Sequence, residues 1–146
     1  MALVLTAEIK DLVNNALANG NPLALAVVTP DNKPVLSFRG STQAFSDSQL
    51  AIWVRAGSGT TLAAIKNNPH VALLYRSATT PLIQFQGRAR VTADEADRHK
   101  IFTSSHEREQ GYDPERTGTA VIVDLDSVTG VLRFGANGPE FVKLER

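Results

Sequence analysis

The order of segments predicts a mainly β protein, an antiparallel barrel or sheet with peripheral helices. Two observations carry that expectation. Apolar runs of strand length recur along the chain, and turns or short helices join most of them, whereas a parallel sheet needs regular helical crossovers. One run, "PLIQFQGRARV", alternates with period two: Leu82, Gln84, Gln86, Arg88 and Arg90 fall on one face and Ile83, Phe85, Gly87, Ala89 and Val91 on the other. Residues 1–146 are expected to form a single domain, the usual outcome for this length.

The elements follow in order. "TAEIKDLVNNALANGNP" reads as a helix: Thr6 caps it, Ile9, Leu12, Val13, Ala16 and Leu17 recur at helical spacing, and Gly20 and Pro22 stop it. "LALAVVT" and "PVLSFRG" flank the turn "PDNK" and read as a hairpin. "STQAFSDS" reads as a polar connection, "QLAIWVR" as a strand, "TTLAAIKNN" as a short helix and "HVALLYR" as the next strand. After the alternating strand comes one charged helix, "TADEADRHKIFTSSHEREQG", whose Thr92 and Glu95 fit a capping box. "TAVIVDL", "GVLRFG" and "EFVKL" close the chain as strands, with Asp124 and Asp126 read as turn formers between the first two. The total is roughly seven strands and three helices.

Composition narrows the function. Fifteen basic and fifteen acidic side chains cancel, so no global attraction to nucleic acid or to an anionic membrane is expected. There is no cysteine, which excludes disulfides, thiolate catalysis and cysteine-ligated metals. The N-terminus lacks the basic region of a signal peptide and no apolar run has the length of a membrane span; a cytoplasmic protein is expected. His70, His99 and His106 lack metal-site spacing, although His99 and His106 can share one helical face, and no metal is expected. No nucleophile–base motif or paired catalytic carboxylates emerge, so the catalytic residues are unassigned and any enzymatic chemistry falls to a cofactor. The charged stretch "SSHEREQGYDPERTG" suits a lid or a mobile excursion.

The least generic stretch is "WVRAGSGTTLAAIKNNP", residues 53–69. A strand runs into a turn of small residues and then a helix. Free N–H groups at the helix start, the hydroxyls of Ser58, Thr60 and Thr61, and the nearby Arg39 and Arg55 suit a phosphate. The same residues also suit plain helix capping, and the Walker pattern is absent. Trp53, the single tryptophan, is either a ligand flank or a core aromatic. Gln84 and its neighbours either hydrogen-bond a heterocycle or form a solvated face.

Three segments together resemble the pyridoxamine 5′-phosphate oxidase-like, FMN-binding split-barrel superfamily: "LALAVVTPDNKPVLSFRG", "LAIWVRAGSGTTLAAIKNNPHVALLYR" and "LIQFQGRARV". The resemblance implies an antiparallel split β-barrel and a homodimer holding FMN at its interface. Trp53, Val54 and Ser58 match the family's aromatic, threonine and serine, while Gly59 and Thr60 stand in place of its Arg-Lys pair. Counting back from Gly87, Leu82 and Gln84 replace a family glutamine and arginine, and the tail lacks an Arg-x-His signature, so pyridoxamine phosphate is not assigned as the substrate. The implied cofactor-binding set is Arg39, Trp53, Val54, Arg55, Ser58, Thr60, Thr61 and Gln84. The function expected is an FMN-dependent oxidoreductase acting on a small molecule. Another flavin or a deazaflavin, a non-catalytic flavin-binding or stress-response dimer, and a haem-binding relative stand as alternatives.

Overall fold

The computed structural model describes residues 3–57 and 59–146. The elements are α1 (Ala7–Asn14), β1 (Leu23–Val28), β2 (Pro34–Arg39), β3 (Gln43–Ser46), β4 (Gln49–Val54), α2 (Gly59–Asn67), β5 (His70–Arg76), β6 (Leu82–Thr92), α3 (Glu95–Ser104), α4 (Glu107–Gly111), β7 (Thr119–Gly135) and β8 (Gly138–Glu145). All strands join one antiparallel sheet in the order β2-β1-β5-β6-β7-β4-β3, with β8 added to β7. No ladder joins β2 to β3 among the described residues, so the sheet wraps a core without closing. This is the antiparallel split-barrel class, with helices at its periphery.

Two apolar clusters hold it. Inside the curl, Leu23, Leu25, Leu50, Ile52, Val54, Leu73, Tyr75, Ile83, Phe85, Val121 and Val123 pack with Ile9 and Val13 of α1 and Ala64 and Ile65 of α2. On the outside of β4 and β7, Ala51, Trp53, Ala120 and Ile122 pack under Ile101 and Phe102 of α3. Among the described residues, no helix covers the outside of β2, β1, β5 and β6. Leu36 and Phe38, each 74% exposed, share this face with Leu74 and Leu82.

Four sequence expectations change. The first helix stops at Asn14: the Asn15 N–H and side-chain amide both donate to the Asp11 carbonyl, and the next N–H, of Ala16, turns to Val13 three residues back, ending the ladder. "STQAFSDS" contains the strand β3; its Gln43 is buried and donates to the Ile101 carbonyl at 2.9 Å, a partner fifty-eight residues away. The charged helix is two helices. Buried Ser105, extended in backbone, breaks it, and His106 caps α4 by accepting from the Arg108 N–H, so His99 and His106 share no helix. Its N-cap is Asp94, accepting from Asp97 N–H, while Thr92 braces Asp94 and Asp97 from outside.

The fourth change concerns Asp124 and Asp126, which form no turn. They lie within the continuous strand β7, at a bulge opposite Gln86 and Gly87. Asp124 accepts from Arg90 and Gln49, and Asp126 pairs with Arg88 and Arg146, so the carboxylates find partners across the sheet and the strand continues. Burial would raise the Asp124 pKa, but the bonds from Arg90 and Gln49 outweigh it and hold it below the ordinary range. A side chain at Gly87 would collide with the Asp124 carbonyl, so only glycine permits this close passage of β6 and β7.

Candidate functional site

β4 delivers its last residues to the rim of the barrel with alternating faces. Val54 turns into the inner core and is fully buried. Trp53 turns outward and is covered: Phe102 packs edge-on at 5.1 Å, the Arg98 guanidinium sits over the ring at 4.9 Å, and only 4% of the residue is exposed. Arg55 is the first side chain to emerge. It stacks over the Tyr112 ring at 4.6 Å. The chain then turns at Gly57, whose φ of +92° belongs to the left-handed region that glycine enters freely. Ser58 lies outside the described residues. Thr60 is exposed at the start of α2, and Thr61 is buried against it.

Arg39 reaches this turn from the end of β2. Ser41 positions it by bonding both the N–H and the carbonyl of Trp53, and Thr42 ties back to the Arg39 carbonyl. The Arg39 guanidinium donates to Thr61 Oγ1 at 2.6 Å and to Ser37 Oγ at 3.1 Å. Burial and then the positive charge of Arg55 push its pKa down, against a smaller upward pull from Glu109. Neither Arg39 nor Arg55 enters an ion pair among the described residues. Two cations thus crowd one turn without a bonded carboxylate.

Two clefts border the turn. An apolar one of about 460 Å³ lies between Leu62, Ala63 and Lys66 of α2 and the strand ends at Val91 and Thr119. Val91, expected on the apolar face of β6, is 48% exposed because that face runs out past the core and into this cleft. A polar one of about 320 Å³ is lined by Arg55, Ala56, Gly57, Tyr112, Asp113 and Thr117.

The segment that closes the polar cleft is pinned in place. The Asp113 carboxylate, in a residue only 7% exposed, accepts from Trp53 Nε1 at 2.8 Å, Gly118 N–H at 2.8 Å, and the N–H and hydroxyl of Thr117 at 3.0 Å each. Burial alone would raise its pKa; the donors from Thr117, Trp53 and Gly118 outweigh that and lower it. The carboxylate is thereby held in its ionised form by four neutral donors. Sequence reasoning did not find Tyr112, Asp113, Thr117, Leu62, Lys66 or Thr119 as site residues, since no local spacing marks them.

Arg39 bonds Thr61 and lies near Arg55, and Thr60 precedes Thr61 at the start of α2; Trp53 and Val54 are the last strand residues before the turn and face opposite sides of β4. Gln84 does not join them. It projects from the open outer face in register with Leu74 and Thr129. Eight steps along β6 take it to Thr92, the residue that lies across Ala120 from Trp53. At strand rise that is a path of about 26 Å.

The family model described as pyridoxamine 5′-phosphate oxidase matches residues 5–126. The chain belongs to this family. The pyridoxamine 5′-phosphate oxidase family match takes in β1 to β6, the turn, α3, α4 and the first part of β7. No curated protein matches the chain. Among solved structures it is similar to general stress protein 26 of Bacillus anthracis, with 20% identity and a TM-score of 0.66 over 94% of this chain and 99% of that one. HupZ of Group A Streptococcus superposes with a TM-score of 0.64 at 18% identity, covering 86% of this chain and 93% of its own. An FMN-binding protein of Syntrophomonas wolfei does so with a TM-score of 0.61 at 12% identity, covering 95% and 89%. At these identities the structures share the fold with this member of the pyridoxamine 5′-phosphate oxidase family.

Proposed function

We propose that this chain binds FMN and works as an oxidoreductase on a small molecule, with the cofactor's phosphate at the Arg55–Thr61 turn. The observation that carries the reading is that Arg39 donates to Thr61 Oγ1 at the start of α2 and Arg55 emerges at the same open glycine turn, neither of them in an ion pair among the described residues. An anion there accepts charge-assisted bonds from both. Thr60 and Thr61 add hydroxyls. The adjoining apolar cleft, within the ordinary size range of ligand pockets, suits the faces of a tricyclic ring. FMN, when bound, would supply the electron-transfer chemistry; Leu62, Ala63, Lys66, Val91 and Thr119, which line the cleft, would hold the ring and exclude water from it.

Trp53 and Val54 serve this site from behind, anchoring the end of β4 from which the turn departs, Trp53 through its bond to Asp113 and Val54 through the inner core. Gln84 enters through a second copy of the chain. The uncovered face carrying Leu36, Phe38 and Leu74 also carries Gln84, so a dimer formed across it buries exposed apolar side chains and places Gln84 at the interface.

A second reading, flavin binding without turnover, has its own support. Among the described residues that line the apolar cleft, Lys66 is the one titratable side chain and none is a carboxylate or histidine for acid–base work. Titration of purified protein with FMN and with riboflavin tests the site, and reduction by a nicotinamide donor in the presence of FMN tests turnover. FMN is expected to bind at least tenfold more tightly than riboflavin. Equal binding of the two would place the phosphate elsewhere, and no binding of either would overturn the reading.

A further inference from the structure

The far wall of the polar cleft, Tyr112 and Asp113, is tied twice to the end of β4. The Asp113 carboxylate accepts from Trp53 Nε1 at 2.8 Å, and the Tyr112 ring lies under the Arg55 guanidinium at 4.6 Å. Tyr112 and Asp113 are adjacent, and Val54 alone separates Trp53 from Arg55, so the two contacts close a small circuit. Gly118 and Thr117 fix Asp113 from its other side, and the Tyr112 N–H donates to the Glu109 carbonyl at 3.2 Å. The backbone that carries the ring is thus anchored. Tyr112 itself is 55% exposed and belongs to neither apolar cluster, so core packing does not account for its place. Arg39 is steered by the hydroxyls of Thr61 and Ser37, to which it donates; Arg55 has the ring in their stead. A guanidinium stacked by its face keeps its edge N–H groups for an anion.

We propose that Tyr112 is a positioning residue of the anion site: its ring holds the Arg55 guanidinium face-on and leaves the edge of that group to a phosphate. This rests on the proposed phosphate position. A long, exposed arginine otherwise loses its rotamer freedom at the moment of binding, and the stack takes that loss beforehand. Asp113 acts one step further back, since its bond to Trp53 sets where the ring stands relative to β4. Tyr112 touches no phosphate in this arrangement and acts through Arg55.

The test is a set of titrations with FMN and riboflavin against the full chain and the variants Tyr112→Leu, Tyr112→Phe, Arg55→Ala and the double variant Arg55→Ala with Tyr112→Leu. Tyr112→Leu should weaken FMN binding about twofold to fivefold, the scale of an exposed cation–π contact, and leave riboflavin binding unchanged. Tyr112→Phe keeps the ring and should bind both as the unaltered chain does. In the Arg55→Ala background Tyr112→Leu should have no further effect, an outcome that a merely structural tyrosine would not give. FMN binding by Tyr112→Leu that is unchanged or tighter overturns the inference while the phosphate site stands. So does an equal loss of FMN and riboflavin, or a loss that persists without Arg55. Arg55→Ala that binds FMN as the unaltered chain does, or binding of neither flavin by the unaltered chain, overturns the inference and the phosphate position together.

Discussion

Replacing Asp113 by alanine should destabilise the fold by an amount that its partners set. The carboxylate serves four donors. Thr117 is exposed, so water can replace the carboxylate for its N–H and hydroxyl. The indole N–H of Trp53 and the N–H of Gly118 are buried and have no such recourse. At about 2 kcal/mol for each orphaned buried donor, the loss is roughly 4 kcal/mol. For a chain of this size that lowers Tm by roughly 8–16 °C. Urea denaturation followed by Trp53 fluorescence reads both the global loss and the local change at the indole. The pH dependence gives an independent check. The folded pKa of Asp113 is depressed, so its contribution is present above the unfolded carboxylate value near ~3.9 and fades as pH falls through the lower folded value. The gap between wild type and variant should therefore narrow on acidification. A loss under about 1 kcal/mol, or a gap of constant size from pH ~7 to pH ~3, would refute the reasoning.

Three other outcomes follow from the same geometry. Gly87→Ala sets a methyl against the Asp124 carbonyl and should cost about 2–3 kcal/mol, read by denaturant midpoint, whereas alanine at open Gly59 should not. Arg39→Ala should weaken FMN binding roughly tenfold to a hundredfold and leave riboflavin binding unchanged, because riboflavin lacks the phosphate. Phe38→Glu, or the pair Leu36→Glu and Phe38→Glu, should shift the proposed dimer to monomer in sedimentation, since each apolar side chain contributes about 1.5–3 kcal/mol when buried; a monomeric wild type would remove the basis for that interface.

The sequence made the sheet legible wherever burial imposed its own rhythm. Ile83, Phe85 and Ala89 alternate with exposed or half-exposed neighbours because one face of β6 meets the core. The alternation failed to mark β3, where Gln43 is buried for a hydrogen bond and not for apolar contact. It also failed at Asp124 and Asp126, whose turn-like chemistry is overridden by arginines on the neighbouring strand. The turn after β4 was visible because glycines, hydroxyls and Arg55 are local to it. Its opposite wall was not, because Asp113 reaches Trp53 across sixty positions and nothing near either residue records the other. Trp53 itself illustrates the limit: its position in a strand was clear, but which face it took depended on where α3 came to rest.

The strand β7 has a consequence for how the molecule opens. It pairs with β6 from Ala120 to Val131, with β4 through its first part and with β8 through its last. Its amides are therefore laddered on both sides in turn, and no seam separates the half of the barrel that carries the turn from the half that carries the C-terminal hairpin. Hydrogen exchange at Val121 and at Val128 should report one common opening event, with both halves of the molecule lost together.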